Sequence, residues 1–327
     1  MNDETARTAK QAELFYNRLL KRHRHLKKWA RRTGTNAFRL YDRDIPEIPL
    51  ALDLYGDAAS LALYKRPYEK EAGEEETWLL AMKASASRAL DIPENRIFLK
   101  ERRRMKGKQE SGIQYGKISM QNFYVDVTEG DLSFRVNLSG YLDTGLFLDA
   151  RKKRALLRSE TAGKRVLNLF AYTCSLSAAA AKGGASCVDS VDLSKTYLDW
   201  GKVNFALNGL GENCNFNFIR SDVFQFLKNA GARALLWDVI ILDPPSFSNS
   251  KKMDGTLDIQ RDHSGLIRLC LPLLSPGGTI WFSSNARGFK LDSGAFPELA
   301  IKDISCELVD EDFKGKRTPC CYRIVKL

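Results

Sequence analysis

The sequence lacks several features that would define whole classes of protein. Its seven cysteines include no CxxC pair, so we expect reduced thiols and no metal site. No stretch approaches the roughly 20 uninterrupted apolar residues of a membrane span. The start, Met1-Asn-Asp-Glu-Thr5, lacks the basic-then-apolar order of a signal peptide. These absences predict a cytoplasmic protein with no membrane partner.

The composition is that of a folded chain with room for two domains. Of its 327 residues, 44% are hydrophobic and 10% are aromatic, which excludes a disordered or collagen-like polymer. A single core stops growing at roughly 250 residues, so we expect more than one domain.

Positive charge is concentrated in two short segments. Residues 1–34 carry ten Lys and Arg against three acidic residues, and residues 96–108 carry seven against one, which accounts for the whole net charge of +11. Apolar residues at helical spacing predict that 1–34 is a helix that leaves most charges and Trp29 exposed. An exposed basic face with an aromatic residue indicates a nucleic acid partner, RNA or DNA, and the alternative is a solvated surface helix. The candidate contacts are Arg22, Arg24, Lys28, Arg31, Arg102, Arg103, Arg104 and Lys106.

The pattern of predicted strands and helices changes near residue 163. Before it, short strands surround one helix at Glu74–Leu90, which predicts a small α+β domain. After it, strands of about five residues alternate with helices of 10 to 15, a pattern typical of a doubly wound α/β sheet. The predicted helices include 175–182, 195–207 and 256–274. We therefore predict a basic N-terminal helix (1–34), a small α+β RNA-binding domain (35–155) and an α/β domain (156–327).

Polar residues follow four predicted strands, at the sheet edge where such folds bind ligands. The first strand leads into Asn168–Ser175, where Thr173 or Ser175 could cap the next helix. The second ends at Asp192, whose carboxylate could accept both hydroxyls of a ribose. The third is followed by Asp222 and the fourth by Asp243. The first loop contains no glycine, which argues against a dinucleotide site of the G-x-G-x-x-G type.

This order of elements, with Asp243-Pro-Pro-Ser-Phe247 after the fourth strand, resembles class I S-adenosylmethionine-dependent methyltransferases. The segments Tyr141–Arg151, Val166–Thr173, Asp243–Lys251 and Gln260-Arg-Asp-His263 are similar to the RlmI/RlmKL-like family, and within it to the half that methylates guanine N7 in 23S rRNA. The resemblance covers nearly the whole chain, from about Glu13 onward. It implies a Rossmann-like methyltransferase domain, S-adenosylmethionine as cofactor, and 23S rRNA or an assembling large ribosomal subunit as partner.

The resemblance also implies site residues. For the methionine end of the cofactor the candidates are Asp149 and Arg151, with mutual pairing as the alternative. Phe247 would stack on the base, with packing beneath its loop as the alternative. Asn249 or Asn285 would hydrogen-bond the edge of the base, with a role in a turn as the alternative. The implied cofactor contacts are Asp149, Arg151, Asn168, Phe170, Tyr172, Thr173, Asp192, Asp222, Val223 and Asp243. The implied catalytic residues are Asp243, Pro244, Pro245, Phe247 and Asn249.

One departure from the family concerns the first loop, where Thr173-Cys174 stands in place of Thr-Gly. Because a cysteine lacks the conformational freedom of glycine, we expect an ordinary backbone φ there. Cys174 is also the one cysteine expected near the cofactor. Cys187 and Cys270 are expected in the core, Cys214 in a loop, and Cys306, Cys320 and Cys321 in late-strand packing.

The chemistry of the base separates the alternatives. Making 5-methylcytosine requires a cysteine nucleophile, but Asn285 and Ser246 stand at the two places where one is expected. Guanine N7 has a free lone pair, so positioning alone could suffice. His263 is predicted to be a cap or surface residue rather than a base. The alternatives are methylation of adenine N6, methylation of a ribosomal protein, and a non-catalytic role in ribosome assembly.

Overall fold

The computed structural model describes residues 3–64, 72–102, 121–211, 214–248 and 256–326. The chain forms two compact units, one made of Met1–Asp131 with Val136–Thr144, the other of Leu132–Arg135 with Gly145–Leu327. The N-terminal helix therefore belongs to the first unit instead of forming a separate segment. No described helix is long and apolar enough to cross a bilayer.

The first unit combines two helices with a four-stranded sheet of order β1-β2-β3-β4, in which β3 and β4 are parallel and the other neighbours antiparallel. Phe15, Leu19 and Leu26 recur on one face of the first helix and are fully buried in the core of this unit. The elements are α1 Asp3–Thr33, β1 Ala37–Asp42, β2 Leu50–Tyr55, β3 Ala58–Tyr64, α2 Ala72–Leu90, β4 Ile97–Arg102 and β5 Tyr124–Glu129, followed by β6 Leu132–Asn137.

The second unit contains a seven-stranded sheet of order β14-β15-β13-β10-β7-β8-β9. The five strands from β13 to β9 in this order pair in parallel, while β15 runs antiparallel to both of its neighbours. Its elements are α3 Arg151–Ser159, β7 Arg165–Leu169, α4 Ser175–Lys182, β8 Cys187–Asp192, α5 Lys195–Leu207, β9 Phe216–Arg220, α6 Val223–Ala232, β10 Trp237–Leu242, β11 Phe247–Ser248, β12 Leu257–Asp258, α7 Ile259–Cys270, β13 Leu274–Ser284, β14 Leu299–Asp303 and β15 Cys320–Lys326.

The predicted Rossmann-like α/β sheet is confirmed, and the apolar strands are buried at its centre. The prediction of one helix over Thr256–Leu274 is wrong at both ends. Asp258 pairs with Phe247 in a short hairpin and then caps α7, its Oδ1 accepting the Gln260 N–H at 3.0 Å. At the other end α7 stops at Cys270 and the chain continues as a 3-10 turn over Leu271–Leu273, because Pro272 has no N–H to donate to the α-helical ladder.

Candidate functional site

Three aspartates meet at one edge of the second unit's sheet. Strands β7, β8, β9 and β10 are parallel, so their carboxyl ends face the same side. Asp192 ends β8, Asp222 precedes α6 after β9, and Asp243 follows β10 directly. The structure therefore brings together the carboxylates that the sequence places after successive strands.

The loop after β7 has an unusual backbone in which alternate residues are left-handed. The φ angles are +57° at Phe170, +50° at Tyr172 and +58° at Cys174. The expectation of an ordinary φ at Cys174 is therefore wrong. The Cys174 N–H donates to Ala171 O at 2.8 Å, and its side chain is fully buried against Gly201, where a Cβ would collide with the sulfur. These contacts offset a cost of roughly 1 to 2 kcal/mol for each left-handed non-glycine residue.

Neither Thr173 nor Ser175 caps α4, contrary to the prediction. The N-cap position is Cys174, and no side chain hydrogen-bonds there. The Thr173 hydroxyl donates to Gly145 O at 2.6 Å, and Asn204 donates to Thr173 O at 2.8 Å. Thr173 thus ties the loop to the preceding segment, where Gly145 has φ +92° and lies against the Trp200 ring too closely for a Cβ.

Asp192 organises the same loop. Its carboxylate accepts the backbone N–H of Tyr172 on Oδ2 and that of Ser194 on Oδ1, each at 2.8 Å. Burial raises the pKa of Asp192, although these backbone hydrogen bonds act in the opposite direction. Each carboxylate oxygen keeps a second lone pair, so Asp192 can hold the loop and also accept from a ribose hydroxyl.

Asp222 caps the next helix. Its Oδ1 accepts the Gln225 N–H at 3.0 Å, which leaves Oδ2 for another donor, and the side chain is half-buried. The Val223 side chain lies in the core of the unit, so the backbone is the part of this residue suited to contact a ligand. Asp192 could accept from the hydroxyls of a ribose and Asp222 from a second donor, a combination that suits a nucleoside. The first loop lacks the glycines that a pyrophosphate requires.

No sequence pattern indicated the partners of Asp243. Lys153, from α3, donates to Asp243 Oδ2 at 3.2 Å and to Ser283 Oγ at 2.5 Å. The Ser283 hydroxyl donates to Asp243 Oδ1 at 2.5 Å. The Lys153 side chain is 6% exposed and that of Asp243 is 36% exposed. The site therefore contains a buried ammonium that neutralises a carboxylate open to solvent on one side.

The residues after Asp243 form the outer part of the site. Pro244 is buried, Pro245 is half-buried, and the Phe247 ring is 38% exposed. A large exposed aromatic residue at this place favours the stacking interpretation over packing beneath the loop. Asn249 lies outside the described residues.

Other predicted cofactor contacts have protein partners. Asn168 is buried, and its amide donates to Ser177 Oγ at 2.8 Å. Arg151 is bound by Asp310 and Asp312, each at 3.0 Å, while Asp149 is half-buried at the start of the same helical segment. Tyr172 packs between Phe147 and Tyr197, with ring centroids 5.4 and 4.6 Å away, so the exposed Phe147 adds an aromatic surface beside the loop.

Cys270 is buried and Cys214 is exposed, as predicted, but Cys306 is exposed and Cys187 is half-buried. Cys174 is not the one cysteine near the site, because Cys321 and Cys320 pair with Ser283 and Ser284 at the carboxyl end of β13. Burial raises the pKa of all three thiols, that of Cys321 to about 12. A nucleophilic cysteine requires a lowered pKa, so these thiols are unsuited to covalent catalysis.

His263 is neither a cap nor a surface residue, and this prediction is wrong. The ring is buried, its Nδ1 lies 3.1 Å from Ile259 O, and its Nε2 accepts the Asp292 N–H at 3.1 Å. These partners assign the neutral tautomer with the proton on Nδ1. His263 therefore anchors the segment after β13, where Asn285 is exposed.

The basic face of α1 is partly confirmed. Arg24, Lys28 and Arg31 are exposed, whereas Arg22 is half-buried and donates to Leu40 O at 3.4 Å. Trp29 is only 6% exposed and packs edge-on against Phe38, so the prediction of an exposed Trp29 is wrong. The helical period places it on the apolar face. Arg103, Arg104, Lys106 and the Arg102 side chain lie outside the described residues.

Comparisons with known proteins agree with this geometry. The S-adenosylmethionine-dependent methyltransferase family matches residues 63–301. A ribosomal RNA large subunit methyltransferase K of Neisseria meningitidis is 46% identical over 95% of this chain and 86% of its own length. A methyltransferase K/L of Pseudomonas aeruginosa is 41% identical over 98% of this chain, which spans 43% of that longer protein.

Among solved structures, a methyltransferase crystallised with SAH aligns with a TM-score of 0.75 at 26% identity, covering 96% of this chain and 81% of its own. The described residues contain no group of three or more His, Cys, Asp or Glu side chains arranged to hold a metal ion. S-adenosylmethionine is thus the cofactor of this protein, and its contacts with Asp192, Asp222 and Asp243 stay a prediction. The chain belongs to the S-adenosylmethionine-dependent methyltransferases, and within them to the group of the ribosomal RNA large subunit methyltransferases K.

Proposed function

We propose that this protein methylates N7 of a guanine in 23S rRNA, free or within an assembling large subunit, without a covalent intermediate. The names of the relatives, ribosomal RNA large subunit methyltransferase K and K/L, support the RNA substrate. The specificity for N7 is inferred from the chemistry of the site.

The observation that carries the proposal is the pair of hydrogen bonds that Asp243 accepts. Both of its oxygens already accept, one from Lys153 and one from Ser283, and the lysine neutralises its charge. These donors hold the carboxylate in place, and burial raises the pKa of the Cys320 and Cys321 thiols beside it. The site is therefore suited to a nucleophile that needs positioning and no covalent intermediate.

Guanine N7 is such a nucleophile. S-adenosylmethionine supplies a methyl group on a sulfonium, whose C–S bond breaks as the N7 lone pair bonds to the methyl carbon and the positive charge passes to the guanine ring. The protein has to orient the base and exclude water, which is catalysis by positioning. Buried Pro244 and half-buried Pro245 form a rigid floor, and exposed Phe247 stacks on the base. The assignment of Asn249 to the base edge rests on the sequence alone.

The experiment that tests the proposal uses the charge of the product. Cationic 7-methylguanosine is reduced by borohydride, and the RNA chain then breaks with aniline, whereas 5-methylcytosine and N6-methyladenine leave the chain intact. An unmodified 23S rRNA transcript incubated with the protein and S-adenosylmethionine should show one new break next to a guanine. Methyl incorporation without any break would contradict the N7 assignment.

The absence of a cysteine nucleophile gives a second prediction. A variant with Cys320→Ser and Cys321→Ser should keep methyl transfer within about threefold of wild type, since burial raises the pKa of both thiols. Cys174→Ser, which keeps the side-chain size in the buried loop position, should behave similarly if thermal unfolding shows an intact fold. A covalent adduct between the wild-type protein and RNA containing 5-fluorocytosine would overturn this prediction and support 5-methylcytosine formation.

The basic helix face gives a third prediction. Removing residues 1–34 would take Phe15, Leu19 and Leu26 out of the core, so point variants are the proper test. Arg24→Ala, Lys28→Ala and Arg31→Ala together should weaken binding of 23S rRNA and flatten its salt dependence by about 0.7 for each lost phosphate contact. Equal affinities and parallel salt slopes would identify this face as an ordinary solvated surface.

A further inference from the structure

Two basic loops meet at the carboxyl edge of the second unit's sheet. Residues 285–291 follow β13 and residues 314–319 precede β15. Ser284 pairs with Cys320, so the two loops leave the sheet from adjacent positions. They contain five Lys and Arg and no Asp or Glu. This concentration of charge is separate from the two basic segments near the N-terminus.

The backbone of the first loop is fixed by α7. Gln260 accepts the Lys290 N–H at 3.1 Å and donates to Lys290 O at 3.0 Å, and His263 accepts the Asp292 N–H at 3.1 Å. These bonds give the Gln260-Arg-Asp-His263 motif a structural role. The loop that they hold ends in an exposed turn containing Arg287.

The second loop is bonded to the first. Arg317 donates from Nη2 to Asn285 O at 2.9 Å. The exposed basic residues of both loops, here called the rim cluster, are Arg287, Lys290, Lys314 and Arg317. The backbone that carries them, and the Arg317 side chain, are thus held before any ligand arrives, which reduces the entropy lost on binding.

The charges of the rim cluster are not neutralised by nearby acids. Among the described residues, no carboxylate lies within 4.0 Å of the cationic groups of Arg287, Lys290 or Lys314. Elsewhere in the same unit exposed lysines do pair, as Lys202 does with Asp199 at 3.2 Å and Lys302 with Glu307 at 2.7 Å. An ordered group of like charges without counter-ions fits a polyanionic ligand.

We propose that the rim cluster binds phosphates of the substrate RNA that flank the target nucleotide. Ser283, which donates to Asp243, is two residues before Asn285, so the cluster lies beside the base site. Phosphate contacts position the strand, while Asp243 and Phe247 face the base. The inference rests on the RNA substrate of the proposed function and adds the surface that guides the strand into the site.

The test compares two double variants of equal charge. Arg287→Ala with Lys290→Ala removes two cations from the rim cluster, and the control, Lys228→Ala with Arg233→Ala, removes two exposed cations from α6. Binding of an unmodified 23S rRNA transcript is titrated against salt for both. The rim variant should bind about tenfold more weakly at low salt, with a slope flatter by about 1.4, as expected for two phosphate contacts.

The control variant should stay within twofold of wild type, and S-adenosylmethionine should bind all three proteins equally. A rim variant with unchanged affinity and a parallel salt slope would overturn the proposal, and so would an equal loss in the control. Failure of the N7 assignment is distinguishable, because it would remove the borohydride–aniline break in wild type while the binding difference persisted.

Discussion

Asp243→Ala is expected to lower the free energy of unfolding by about 3 kcal/mol, the lower end of the cost of removing one partner from a buried ion pair. The Lys153 ammonium, 6% exposed, would lose its carboxylate and keep Ser283 as its hydrogen-bond acceptor. Lys153→Met should cost less, because the carboxylate that it leaves is 36% exposed and can be solvated. Methyl transfer should fall by about 100-fold in the Asp243 variant, because the loop that carries Pro244, Pro245 and Phe247 would be misplaced.

The double variant separates stability from catalysis. Lys153→Met combined with Asp243→Ala removes both charges from the buried site, so its unfolding free energy in urea should recover most of the loss seen with Asp243→Ala alone. Its methyl transfer should stay low. Additive losses of stability would contradict the coupling of the two charges, and activity that recovers together with stability would show that Asp243 has only a structural role.

The second large effect concerns the cofactor. Asp192→Ala should weaken S-adenosylmethionine binding by about 1 to 3 kcal/mol, about 5- to 150-fold in the dissociation constant, because a charge-assisted acceptor is lost. The variant also releases the N–H groups of Tyr172 and Ser194, which hold the left-handed loop. Calorimetry measures the affinity directly.

Two controls accompany this measurement. Asp199→Ala, on the exposed side of α5, should leave cofactor affinity unchanged. Asp192→Asn keeps one acceptor oxygen, so one of the two N–H groups loses its acceptor, at a cost of about 1 to 3 kcal/mol in the free energy of unfolding. Burial raises the pKa of Asp192, so removing the charge offsets part of this cost. Unchanged affinity in the alanine variant would remove Asp192 from the cofactor site.

Local sequence patterns predicted much of the second unit. The predicted bounds of α4 and α5 agree with the structure, because helical periodicity and the turn residues around them act within a few positions. The acidic residues predicted to follow successive strands do follow β8, β9 and β10, and the carboxyl ends of these parallel strands lie at one edge of the sheet.

Contacts between distant parts of the chain were not predictable in this way. Lys153 meets Asp243 across 90 residues and Ser283 across 130, and no local pattern marks that a lysine within α3 is buried. The left-handed φ of Cys174 depends on Gly201, which leaves room for its sulfur. Trp29 was predicted to be exposed because its neighbours in sequence are basic, although its position on α1 puts it against Phe38.

The proposed function depends on transfer of the methyl group to guanine N7. The most direct measurement is nucleoside mass spectrometry of an unmodified 23S rRNA transcript after incubation with the protein and S-adenosylmethionine carrying a deuterated methyl group. Transfer to N7 predicts deuterated 7-methylguanosine, with about 100-fold less formed by the Lys153→Met and Asp243→Ala double variant in the same time. Deuterated 5-methylcytidine or N6-methyladenosine as the product would contradict it.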